Sequence, residues 1–146
     1  MAPIVLSASI SRRHAAGVAG LEKVLTTDSS LNSNILFIIT GDPRTSARPA
    51  EAVRIAAGIE ASRRAVVRIY LRGAAVLALS EYPDDLVDDE NYARYLPIIG
   101  ESGRPVYVES GSPYLAEIGE TAFAHQKITD QELAALAAEN NYVARF

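Results

Sequence analysis

The stretch Asn34-Ile35-Leu36-Phe37-Ile38-Ile39-Thr40-Gly41-Asp42-Pro43 decides the fold of this 146-residue chain. From Ile35 to Ile39 five apolar residues run without a polar break, and three of them are β-branched. A strand with one face in water alternates apolar and polar residues, so this run predicts a strand covered on both faces. Thr40-Gly41-Asp42-Pro43 then ends it with the residue types that break regular structure. In an open α/β sheet, the loop after such a strand lines a crevice at the carboxyl ends of the strands.

Downstream, the pattern alternates. Pro49 suits the first turn of a helix over Ser46–Ser62, where Ala52, Val53, Ala56, Ala57 and Ile59 recur at helical spacing. Ala65–Leu71 reads as a second strand, closed by Arg72-Gly73, and Ala74–Leu79 as a short apolar helix. A strand, a helix and a strand with this crossover length predict a parallel pair. Asn91–Gly100 is a short helix limited or kinked by Pro97. Pro105–Val108 is a third strand, and Ser112-Pro113 is expected to start a helix through Ile118 that Gly119 stops. Phe123–Ile128 is compatible with a short strand. Thr129-Asp-Gln-Glu132 is a capping box opening a helix that carries Leu133, Leu136 and Ala137, and Tyr142–Phe146 is a last strand. Strands alternating with helices predict a layered α/β domain with a mainly parallel sheet over residues 34–146. Residues 1–33 read as an N-terminal extension, with an amphipathic helix over Ser11–Leu25 and a polar linker over Thr26–Ser33.

Composition removes several functions. About half of the residues are apolar and 22% are charged, with a net charge of −4. No run of Lys and Arg offers a nucleic-acid face. No stretch approaches the ~20 apolar residues of a membrane span. No leader is visible either, so a cytoplasmic protein is expected. The chain has no cysteine, so disulfides, thiolate metal sites and cysteine nucleophiles are excluded. With His14 and His125 alone, no metal site is expected. Asp84, Asp85, Asp88, Asp89 and Glu90 lack the spacing and central glycine of an EF-hand and read as a solvated acidic loop.

The candidate site follows from the sheet. Gly41, Asp42, Arg72, Gly73, Glu109, Ser110 and Ser112 all fall near the carboxyl ends of their strands. A helix starting after Ser112 would aim its first N–H groups at this rim, and Arg44, Arg48 or Arg72 would add contacts to a phosphate or carboxylate. Asp42 and Glu109 together would suit a general acid/base pair, although nothing in the sequence brings them together. A lone His125 is more often incidental than a general base. Ser110 lacks the Gly-x-Ser-x-Gly context of a hydrolase nucleophile. Tyr82, Tyr92, Tyr95, Tyr107 and Tyr114 supply aromatic area of the kind found at protein interfaces.

The order of elements resembles the DsrE/DsrF-like family, which includes the TusD and YchN-type proteins of sulfur relay. The resemblance covers Asn34–Phe146. It rests on the opening strand with Thr40-Gly41-Asp42, the Ala-rich helix after Pro49, and Tyr70-Leu-Arg-Gly-Ala-Ala-Val76. The Val106-Tyr-Val-Glu-Ser-Gly strand exit and the closing Glu132-Leu-Ala-Ala-Leu with Val-Ala-Arg-Phe146 complete it. It implies a three-layer α/β/α sandwich with about five mainly parallel strands and assembly as trimers, hexamers or mixed rings, while the N-terminal extra helix has no counterpart in it. In sulfur-transferring members a cysteine at the third strand exit carries a persulfide, and here that position is Glu109. A carboxylate cannot hold a sulfane sulfur, and the neighbouring Ser110 hydroxyl is a poor substitute for a thiol. The expectation is a non-catalytic assembly or small-ligand-binding subunit without a cofactor. The alternative is a small-molecule enzyme or an anion- or nucleotide-binding protein using Asp42, Arg72 and Glu109.

Overall fold

The structure is a computed structural model that describes residues 5–7, 10–12 and 33–146. The opening stretch forms β3 (Ser33–Ile39), at the centre of a parallel sheet. β4 (Ala65–Leu71) lies on one side of it, followed outward by β5 (Val106–Glu109) and β6 (His125–Ile128). β7 (Tyr142–Arg145) lies on the other side. Two short strands, β1 (Val5–Ser7) and β2 (Ile10–Arg12), pair with β7 in parallel and antiparallel sense.

The helix expected over Ser11–Leu25 lies, beyond Arg12, outside the described residues. Ser11 and Arg12 themselves pair with β7 as strand residues instead of opening that helix. A strand edge presents unpaired N–H and C=O groups, and a neighbouring segment that reaches it gains a ladder of hydrogen bonds.

Both faces of β3 are covered, by different layers. Ile35, Phe37 and Ile39 point to one face with Val67, Ile69, Leu71, Val106 and Val108. Helices α1 (Arg48–Ser62) and α2 (Asp89–Gly100) close that face, with a 3₁₀ segment at Gly73–Leu79. α1 meets the core through Ala50, Ala52, Val53, Ala56 and Ala57, all at most 1% exposed. Small side chains let its backbone lie close to its neighbours, which is what close packing requires. Leu36, Ile38, Tyr70, Tyr107, Ile128 and Val143 face the other way and meet α3 (Asp130–Glu139) through Leu133, Leu136 and Ala137. The result is the expected three-layer α/β/α sandwich.

Two local features shape the carboxyl end of the sheet. α3 starts at a complete capping box: Thr129 Oγ1 accepts from the Glu132 N–H at 3.2 Å, and Glu132 Oε1 accepts from the Thr129 N–H at 3.0 Å. The helix expected after Ser112 is reduced to a single 3₁₀ turn at Leu115–Glu117. Ser112 is buried and its hydroxyl donates to the Gly73 carbonyl at 2.8 Å, which ties the segment to the neighbouring strand exit. The ready-made helical anion site predicted there is therefore absent.

Candidate functional site at the strand exits

Backbone hydrogen bonds hold the carboxyl ends of the strands level. The Arg72 N–H donates to the Ile39 carbonyl at 3.0 Å, the Ser110 N–H to Ile128 at 3.0 Å, and the Thr40 N–H to Phe146 at 2.8 Å. The residues that follow β3, β4 and β5 therefore share one rim.

At the centre of that rim a carboxylate of the chain itself is held by its neighbours. Gly73 adopts φ +58°, a conformation that glycine takes without penalty, and its N–H faces the Glu109 side chain of β5. Glu109 Oε1 accepts that N–H at 3.0 Å, and Glu109 Oε2 lies 3.4 Å from the Arg72 guanidinium. Arg72 also pairs with Asp130, the first residue of α3, at 2.6 Å. One guanidinium thus bridges a carboxylate of β5 and a carboxylate of the layer above. Partial burial works against the Arg72 charge, but the bond to Asp130 and the nearby Tyr70 and Glu109 together push its pKa up. The guanidinium also lies 5.6 Å from the centroid of the Tyr70 ring, within the range of a cation–π contact.

Asp42 takes a different course. Its carboxylate accepts from Arg44 Nε at 3.0 Å, from Arg44 Nη2 at 2.8 Å and from the Arg44 N–H at 2.9 Å. The guanidinium bond holds the Asp42 carboxyl below its usual range, against a small opposing effect of burial. Arg44 in turn stacks 5.0 Å over the Tyr114 ring and donates to its hydroxyl at 3.3 Å. Gly41 sits close to the start of α1: a Cβ there would lie 3.2 Å from Pro49 Cγ, so that the proline would have to give by a few tenths of an ångström.

Of the residues singled out from the sequence, the structure unites Arg72, Gly73, Glu109 and Ser112. Glu109 binds the Gly73 N–H and Ser112 binds the Gly73 carbonyl. Asp42 bonds to Arg44, and no hydrogen bond or ion pair among the described residues joins it to Glu109. Ser110 is exposed and, with Ser112, His125 and Lys127, lines a shallow depression of about 480 Å³ beside the rim. Among the described residues no group of three or more His, Asp or Glu side chains is placed to hold a metal ion. Tyr92 belongs to the core at 1% exposure and not to a surface, whereas Tyr82 is 78% exposed.

Sequence reasoning missed two participants, Tyr70 and Asp130. Tyr70 was accessible in principle, since residues two apart on a strand share a face and Tyr70 precedes Arg72 by two. Asp130 was not, because only the tertiary path of α3 carries its first turn over the exit of β4.

Five parallel strands between helical layers, with polar groups gathered at the strand exits, make an α/β/α sandwich. The structure is similar to the crystal structure of the YchN protein from E. coli, at 21% sequence identity and a TM-score of 0.60. The likeness covers 78% of this chain and 99% of that one, and at this identity it is a likeness of fold. No family model and no curated protein matches the sequence. No helix among the described residues is long and apolar enough to cross a membrane.

Proposed function

We propose that this chain is a non-catalytic DsrE-like subunit, related to sulfur-relay proteins but unable to carry a cysteine persulfide, that works by assembly or by binding a small ligand. In this reading residues 34–146 are the working domain and residues 1–33 an extension of it. One observation carries the proposal. At the strand exit where the resemblance places a reactive sulfur, the Glu109 carboxylate occupies the Gly73 N–H and the Arg72 guanidinium. The chain thus keeps a polar cradle suited to an anion and fills it with a side chain that cannot carry sulfur.

Assembly as a trimer, a hexamer or a mixed ring is supported by the resemblance and by two surface features. β6 ends the sheet with His125, Gln126 and Lys127 exposed, and Tyr82 stands clear of the domain. Size-exclusion chromatography with light scattering tests this on the full chain. A trimer or larger species is the expected result, and a clean monomer at micromolar concentration sinks the assembly reading.

The second reading, an enzyme or anion-binding protein using Asp42, Arg72 and Glu109, draws support from the Arg72–Glu109 pair alone. Asp42 is engaged by Arg44, which takes it out of the acid/base pair with Glu109 that this reading names. A thermal-shift series with nucleotides and small anions on wild type and Arg72→Ala decides whether any such ligand acts through Arg72.

A further inference from the structure

Tyr70 is 0% exposed, and its hydroxyl has no hydrogen-bonding partner among the described residues. Most buried polar groups are satisfied, and one left alone carries a desolvation cost. Its surroundings indicate what would satisfy it. Tyr70 lies on β4 and Arg72 just past its end in extended backbone, Tyr107 and Glu109 fall on one face of β5, and Tyr70 stands opposite Tyr107 in the ladder. The Arg72 guanidinium above the ring favours the ionised phenol by its charge and by its approach to the hydroxyl, an approach that falls short of a formed hydrogen bond. Burial nonetheless raises the Tyr70 pKa, with the Glu109 and Asp130 carboxylates adding to it and Arg72 opposing. The hydroxyl therefore keeps its proton at neutral pH and is available as a donor.

We infer that the Tyr70 hydroxyl, the Arg72 guanidinium and the Gly73 N–H form one oxyanion site, and that the Glu109 carboxylate is a built-in anion occupying it in place of a ligand. The inference rests on the reading of this strand exit as kept but filled. A carboxylate has two oxygens, and those of Glu109 are used by Gly73 and Arg72, which leaves the third donor idle. A tetrahedral oxyanion such as sulfate or phosphate has a further oxygen to offer Tyr70. To enter, it must displace Glu109, and it must share Arg72 with Asp130. Glu109 therefore weakens binding of any external anion and selects for ligands able to compete with a tethered carboxylate.

The test is calorimetric titration of the full chain with sulfate, phosphate and acetate at constant ionic strength, on wild type, Glu109→Ala and Glu109→Ala/Tyr70→Phe. Glu109→Ala is expected to bind sulfate or phosphate at least about tenfold tighter than wild type, and to prefer both over acetate. Adding Tyr70→Phe should return about tenfold of that gain, the worth of one hydrogen bond to a charged group. No tightening in Glu109→Ala, or a double variant equal to the single one, overturns the inference. Should Glu109→Ala not fold, Glu109→Gln keeps the shape, removes the charge, and must tighten binding in the same order. Light scattering on the same samples separates the two ideas. Assembly without anion binding defeats only this inference, and anion binding by a monomer defeats only the assembly reading.

Discussion

The exits of β3 and β5 carry a carboxylate each, and the two are held by opposite means. At β3 the chain is secured by packing. Phe37 lies flat against Phe146, ring centroids 5.5 Å apart and planes 3° from parallel, and the backbone of Phe146 bonds to both Ile38 and Thr40. Asp42 sits outside that anchor and closes on Arg44, two residues further on. At β5 the anchor is itself polar. Glu109 reaches across to Gly73 and Arg72, and Arg72 reaches on to Asp130. The β3 exit can lose its charge and keep its shape, whereas at β5 charge and shape are the same contacts. Glu109, unlike Asp42, is tied into the exit of a neighbouring strand.

Four substitutions press on that contrast. Phe37→Ala attacks the packed anchor and has the largest expected effect, a loss of about 3–5 kcal/mol of unfolding free energy for a fully buried aromatic. Urea denaturation measures it. A cost below about 1 kcal/mol would mean that the β3 exit is not held by its core. Gly73→Ala comes next. A Cβ there would meet nothing within 4 Å, so the cost is the left-handed backbone alone, about 1–2 kcal/mol. An unchanged midpoint would show that this turn relaxes without penalty, and the fixed direction of the Gly73 N–H would then be in doubt.

Glu109→Ala removes the polar anchor and should cost about 1 kcal/mol, because water can reach the freed Gly73 N–H and Arg72 keeps Asp130. The sign is informative here. A variant more stable than wild type would show that Glu109 is held at a cost in stability, which is the behaviour of a group retained for binding and not for folding.

Much of the frame was legible in the sequence, for reasons that can be stated residue by residue. The unbroken Ile35–Ile39 run announced a strand covered on both faces, and Thr129 with Glu132 announced the start of α3, because both signals are local and strong. The placement of Arg72, Gly73 and Glu109 on one rim followed from a parallel sheet, whose strands all end on the same side. The segment after Ser112 misled because Ser-Pro is a good helix start in isolation. The Ser112 hydroxyl still accepts the Tyr114 N–H at 3.3 Å, but it also donates to the carbonyl of Gly73, 39 positions away, and only one 3₁₀ turn follows. Asp42 misled in the other direction. Its partner was its near neighbour Arg44, a pairing the sequence permits but gives no reason to prefer over a partner across the crevice. Asp130 entered the site through the layer that α3 adds, which no short-range pattern encodes, whereas Tyr70 was within reach of the two-residue strand period.

The smallest effect belongs to Asp42, and its pH dependence makes it diagnostic. The Arg44 bond depresses the Asp42 pKa below its ordinary value of 3.8, so the carboxylate is more readily ionised in the folded chain than in the unfolded one. A group shifted in this direction adds stability above its ordinary pKa and loses that contribution as pH falls through the depressed folded value. Asp42→Asn should therefore leave the denaturation midpoint at pH 7 within the scatter usual for exposed ion pairs. It should also flatten a slight fall in stability that wild type shows below about pH 4. Glu109→Ala serves as the control at the other exit. If Asp42→Asn costs as much as Glu109→Ala at pH 7, Asp42 is bound to more than its neighbour, and the contrast between a local and a bridging carboxylate fails.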